Sequence, residues 1–183
     1  MVQRVLLFYF SIFLLVSCAH TSVKKTIGDH LASMNGSVLD EMLLSEGGDL
    51  ALTPFKAGPM AEANDELDHL SMMILKGVKE SLDEQKTSLH IIAESQGKPK
   101  IAFEGYIQEL SRTNRFSRMM MRPNRSSLVL VGDLWLISTG KRLLTFSIER
   151  KFNSKKENFT NVAYEMGKDI GKFIAAKSQL KEK

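Results

Sequence analysis

A single cysteine, Cys18, stands directly behind an apolar run from Val5 to Val16, with Arg4 in front of that run. A positive residue followed by an apolar stretch of this length reads as a secretory signal, because a membrane-spanning helix needs about 20 apolar residues. An exported chain with one cysteine cannot close a disulfide within itself. Whatever follows must therefore be held together by core burial. Residues 18–183 are enough for one domain with a modest core plus a tether.

The sequence Leu15-Val16-Ser17-Cys18 resembles the lipobox of bacterial lipoproteins. In that family diacylglycerol is attached to the cysteine thiol, the signal is cut before the cysteine, and the new amino terminus is acylated with palmitate or a similar chain. The resemblance implies lipidation at Cys18 and a stable anchor, since several acyl chains hold where one is marginal. Ala19, and not Asp, follows the cysteine, which in the family resembles lipoproteins released to the outer membrane. The expected organisation is a lipoprotein signal peptide at 1–17, a lipid-anchored, partly helical tether at 18–48 and a globular domain at 49–183, facing the periplasm. The other reading is an ordinary secretory signal with Cys18 as a chance residue.

Charge is unevenly spread. Residues 29–84 hold 12 acidic and 3 basic side chains, whereas residues 85–183 hold 9 acidic and 19 basic ones. Two faces that attract each other within the fold account for such a division. Nucleic acid is excluded as a partner by the expected compartment.

Within the tether, Ile27, Leu31, Met34, Val38 and Met42 recur at helical spacing, which predicts an amphipathic helix interrupted at Asn35-Gly36. It either packs on the domain or docks on a partner or the membrane surface. Asp49 to Phe55 reads as a buried strand ending at Pro54, and Lys56 to Asn64 as a loop. A helix should start near Asn64 or Asp65, with Leu67, Leu70, Ile74, Val78 and Leu82 on its inner face. Ser88 to Ala93 and Ile101 to Leu110 read as strands. Ser127 to Ile137 and Arg142 to Phe152 form the clearest hairpin, turning at Ser138-Thr139-Gly140-Lys141. Val129, Val131, Trp135 and Ile137 alternate with Leu128, Leu130, Leu134 and Leu136, so both faces of the first hairpin strand should be buried or partner-covered. A last helix should run to about Leu180, with Val162, Met166, Ile170 and Phe173 inward. Gly167 and Gly171 should let it approach the sheet closely.

That order predicts an α/β fold of the two-layer α+β kind: a mixed sheet of about five strands with two helices packed on one face. The Leu50-Ala-Leu-Thr-Pro-Phe55 start, the leucine-rich helix, the Glu104-Gly105-Tyr106-Ile107 strand, the Thr139-Gly140 turn and the closing helix resemble the periplasmic domains of the group that includes LpoB, CsgG and the amino-terminal domain of TolB. The resemblance covers about residues 49–178. It implies protein binding at the envelope and no catalytic residue to carry over.

No GxSxG elbow, phosphate-binding glycine loop, HExxH or paired-cysteine motif occurs. His20, His30, His69 and His90 are scattered over different segments, which argues against a metal site, and Asp65, Glu66 and Asp68 fit a helix start better than a calcium loop. No enzyme, metal or cofactor is expected. The stretch from Arg112 to Arg125 does stand out. It holds Arg112, Arg115, Arg118, Arg122 and Arg125 with Phe116, Met119, Met120 and Met121, and no acid. It is either a solvated loop tip or a contact surface for an acidic protein patch or lipid phosphates, since arginine fits carboxylates and phosphates and methionine adapts to apolar partners. Arg112, Arg115, Phe116, Arg118, Met120, Arg122 and Arg125 are the candidate partner-binding residues.

The leading expectation is an outer-membrane-anchored accessory or assembly protein that binds one or more envelope proteins of a secretion, transport or wall-building machine, with room for an oligomer. The alternatives are an activator of a peptidoglycan synthase resembling LpoB, or a CsgG-like oligomeric secretion component. The first alternative needs a long reach, and the second needs lipid-facing strands of roughly 9 to 11 residues beyond the core sheet.

Overall fold

The computed structural model describes residues 32–61, 63–85, 87–92, 97–112 and 125–179. Their order is β1 (Ala32–Val38), α1 (Glu41–Glu46), β2 (Gly48–Leu52), β3 (Lys56–Met60), α2 (Asp65–Glu84), β4 (Leu89–Ile92), β5 (Ile101–Ser111), β6 (Arg125–Leu136), β7 (Lys141–Asn153) and α3 (Phe159–Ser178). The strands make one mixed, seven-stranded sheet ordered β1-β7-β6-β5-β2-β4, with β3 also paired to β5. The two-layer α+β class read from the sequence is the class observed, with seven strands and three helices in place of about five and two.

The hairpin of β6 and β7 is the centre of the sheet. Gly140, at φ 65°, supplies the left-handed turn residue that returns the chain after Leu136. β5 pairs antiparallel with β6 along one edge and parallel with both β2 and β3 along the other. β2 and β3 thus lie end to end, separated by Thr53, Pro54 and Phe55. The stretch from Lys56, read from sequence as loop, forms β3; Pro59 is tolerated because β3 lies at a sheet margin, where a missing N–H costs no ladder bond.

The largest departure concerns residues 32–47. The spacing of Met34, Val38 and Met42 predicted a helix, but Ala32–Val38 is a strand hydrogen-bonded along β7, from Ala32 opposite Arg150 to Val38 opposite Leu144. The short helix α1 follows, capped by Asp40, whose carboxylate accepts from Leu43 N at 3.0 Å. Leu44 on α1 is fully buried. This stretch is part of the sheet and its core, not tether.

α2 and α3 cover one face of the sheet. Asn64 caps α2 and Asn158 caps α3, each accepting a backbone N–H with its side-chain oxygen. Leu67, Leu70, Ile74, Val78 and Leu82 from α2 and Val162, Met166, Ile170 and Ile174 from α3 meet Leu50, Ile101, Phe103, Ile107, Leu128, Leu130, Leu134, Leu144, Phe146 and Ile148 from the sheet. Phe103 stacks on Phe146 with ring centroids 5.8 Å apart. The two helices run parallel and touch backbone to backbone. A Cβ on Gly77 would lie 2.2 Å from Tyr164 O, and one on Gly167 would lie 2.1 Å from Ile74 O. Gly167 and Gly171 therefore serve the α2–α3 contact rather than an approach to the sheet.

Candidate functional site

Cys18 and the segment before it lie outside the described residues, as do Arg115, Phe116, Arg118, Met120 and Arg122. The structure describes the two ends of that arginine stretch. Arg125 opens β6 opposite Asn153 of β7. Arg112 follows β5; its guanidinium pairs with the Glu66 carboxylate in the first turn of α2 and lies 5.3 Å from the Phe159 ring centroid at the start of α3. Arg112 thus ties together one end of the molecule, in addition to whatever its neighbours contact.

The other face of the sheet presents a site the sequence reading only half resolved. Along β6, residues 126–136 alternate between buried and half-exposed. Leu128, Leu130, Leu134 and Leu136 point into the helix-covered core, and Val129, Val131, Asp133 and Trp135 point the other way. No described element packs over that second face. Of the two readings of this strand, the structure buries one side against helices and leaves the other without a cover among the described residues. Trp135 is therefore not a core tryptophan.

Neighbouring strands extend the face. Pairing places Ala102 of β5 and Arg142 of β7 on either side of Trp135, Glu104 and Thr145 on either side of Asp133, and Tyr106 and Ser147 on either side of Val131. The Arg142 guanidinium sits 4.5 Å from the Trp135 ring centroid and its Nε is 3.4 Å from Asp133 Oδ1. Trp135 Nε1 is shielded from water and has no hydrogen-bond acceptor among the described residues. A buried donor without a partner is costly, and at contact surfaces tryptophan commonly completes its hydrogen bonding with the partner. Lys56 of β3 reaches over Tyr106, 5.9 Å from its ring centroid. Toward β1 the side chains shrink: Asn35, Gly36, Ser37, Thr145 and Ser147 line an open groove of about 380 Å³ with Val131.

Among the described residues no group of three or more His, Cys, Asp or Glu side chains is placed to hold a metal ion, and no helix is long and apolar enough to cross a membrane. His69 lies on α2 and His90 on β4, the first on an outer helix face and the second at the sheet margin. Asp65, Glu66 and Asp68 occupy the first turn of α2, where negative charge offsets the helix dipole.

Ionisation is perturbed at structural positions. The Leu43 amide, and then the Lys141 ammonium, hold the Asp40 carboxyl below its ordinary value. The Tyr164 hydroxyl donates to Glu80 across the helix pair, which together with burial pushes its pKa up to about 12. Burial raises Asp169 on α3, against the pull of Lys172 and Arg150.

No family model matches the chain, and no curated protein matches it in sequence. In shape it is similar to PelC dodecamers from Paraburkholderia phytofirmans. One PelC structure superposes with a TM-score of 0.55 and 10% identity, over 79% of this chain and 98% of the PelC chain. A second gives a TM-score of 0.53 and 11% identity, over 80% and 97%. A Xanthomonas campestris protein of family-model DUF330 aligns with a TM-score of 0.47 and 9% identity, over 72% and 85%. The likeness is one of fold.

Proposed function

We propose that this chain is a lipoprotein anchored through Cys18 in the outer membrane, and that its domain acts in the periplasm as a non-enzymatic assembly or accessory component that binds envelope proteins, copies of itself included. The observation that carries this reading is the side of β6 that no described element covers. Val129, Val131 and Trp135, flanked by Tyr106 and Arg142, form an aromatic and aliphatic strip with arginine beside it, the composition that protein contact surfaces favour. The export segment and the lone Cys18 support the compartment. The fold shared with PelC, a protein whose structures are dodecamers, supports self-association.

The wall-spanning synthase activator is disfavoured by geometry. Because Ala32 already belongs to the sheet, only 13 residues separate it from Cys18. That chain reaches at most about 50 Å when fully extended and about 20 Å as a flexible coil.

The test is light scattering of the protein extracted from membranes in mild detergent, comparing wild type with Val131→Asp. Val131 faces away from the core, so the variant should keep its circular dichroism while the wild-type oligomer dissociates. A wild-type protein that is monomeric and copurifies with no envelope protein would overturn the reading.

A further inference from the structure

We propose that two copies of this chain pair through the sheet face that no described element covers, about a twofold axis along β6, so that Tyr106 of each copy fills the groove beside β1 of the other. The inference rests on the self-association reading above and specifies its surface and its fit.

Pairing across the sheet builds that face level by level. At the central level Lys56 of β3, Tyr106 of β5, Val131 of β6, Ser147 of β7 and Asn35 of β1 stand side by side. One level nearer the β6–β7 turn come Glu104, Asp133, Thr145 and Ser37. These rows are lopsided. On the β5 side of Val131 stands the Tyr106 ring, with the Lys56 ammonium 5.9 Å from its centroid. On the β7 side only the small residues Asn35, Gly36, Ser37, Thr145 and Ser147 edge the open groove of about 380 Å³. Ridge and groove thus lie on one face, to either side of β6.

A half-turn about an axis along β6, midway between two facing sheets, keeps each level and exchanges the two sides. β5 then lies over β7 of the partner subunit and β3 over its β1, in the aligned arrangement that lets sheets pack about 10 Å apart. Tyr106 enters the groove at the level of the partner's Ser147, Lys56 comes over the partner's Asn35, and the two Val131 side chains meet on the axis. An isologous contact requires a face complementary to itself, and here each side of β6 supplies what the other lacks. An unrelated protein would have to present a matching ridge and a matching groove at the same spacing; a second copy carries both in register.

Charge obeys the same rotation. Glu104 and Asp133 are directly opposite on adjacent strands, an unfavourable placement for two carboxylates. Arg142 Nε offsets Asp133 at 3.4 Å, while Glu104 has no ion pair among the described residues. The half-turn sets Glu104 over the partner's Thr145, beside the partner's Arg142, a side chain 45% exposed within one copy. The area is also sufficient. Five strands about 4.8 Å apart, over about 27 Å of strand length, project roughly 650 Å² before side-chain relief, against about 800 Å² per partner in a standard interface.

The experiment uses the acylated full-length protein in mild detergent, with wild type, whose Cys18 thiol is acylated under the anchor reading, as the control. Glu104→Cys and Thr145→Cys chains are mixed and oxidised with copper phenanthroline. The mixture should form a disulfide-linked dimer, whereas either variant alone should not, because like positions lie on opposite sides of the axis. In light scattering over a dilution series, Tyr106→Ala should dissociate about tenfold more readily than wild type while keeping its circular dichroism, as expected for an aromatic anchor. A wild-type oligomer with no link between Glu104→Cys and Thr145→Cys, and unaffected by Tyr106→Ala, overturns this pairing and leaves the accessory function standing. A monomer that copurifies with an envelope protein also overturns the pairing alone. A monomer with no partner overturns the pairing and the function together.

Discussion

The Arg142 guanidinium stacks on the Trp135 indole at 4.5 Å from the ring centroid, on the side of the sheet that no described helix covers. Arg142 also meets Asp133 at 3.4 Å, so cation, ring and carboxylate form one small assembly across the β6–β7 ladder. The stack desolvates part of a large aromatic without burying it. Exposed cation–π contacts of this kind contribute about 0.5 to 1 kcal/mol, far less than a packed core side chain. A tryptophan held so, with its Nε1 unpaired among the described residues, is better suited to a contact than to a core.

Trp135→Ala should therefore cost about 1 kcal/mol in chemical denaturation of the monomeric domain. Leu134→Ala, one residue away but fully buried on the other face, should cost about 2 to 5 kcal/mol. Equal losses would place Trp135 in the core and remove the contact surface.

Gly77→Ala and Gly167→Ala force a methyl group into the facing helix backbone, at 2.2 Å from Tyr164 O and 2.1 Å from Ile74 O. Each should destabilise by about 1 to 3 kcal/mol or more, because α2 and α3 must separate. Gly140→Ala meets nothing within 4 Å and should cost only the left-handed backbone penalty, about 1 to 2 kcal/mol. Melting temperatures of the three variants give the ordering directly.

Two aspartates should respond to pH with opposite sign. The carboxyl of Asp40 is held low in the fold, so its charge stabilises above the ordinary carboxylate range, and that contribution is lost as pH falls through the depressed value. Asp40→Asn, which keeps a capping oxygen, should lower the melting temperature near pH 7 and match wild type in strong acid. Burial raises Asp169, so its charged form is penalised in the fold; the penalty is absent at low pH and grows as pH rises through the raised value. Asp169→Asn should raise the melting temperature near pH 7 and lose that advantage in acid. Parallel pH profiles for the two variants would contradict these environments.

Cys18→Ser removes the thiol that acylation requires, and the protein should either leave the detergent phase or persist as an uncleaved precursor. Unchanged detergent partitioning with normal processing would falsify the anchor assignment. The measurement is phase separation followed by intact mass.

Local chemistry alone determined the two long helices and the central hairpin. Asn64 followed by Asp65, Glu66 and Asp68 marks the start of α2, its leucines repeat at helical spacing, and Gly140 sits where β6 must reverse. These signals are local: a cap, a periodic stripe and a turn residue each act within a few bonds. The edge strand β1 was decided elsewhere. Met34 and Val38 are four residues apart, a spacing that shares a face in a helix and equally in a strand, and Gly36 between them has no side chain to break the tie. The unpaired edge of β7 resolves it by offering β1 a ladder that a lone helix lacks. The same holds for Gly167, whose partner Ile74 is far away in sequence, and for Trp135, whose two flanking faces are equally apolar in the sequence of β6. Which face receives helices depends on where α2 and α3 cross over the sheet, and that is set by pairings between strands distant in the chain rather than by any residue of β6 itself.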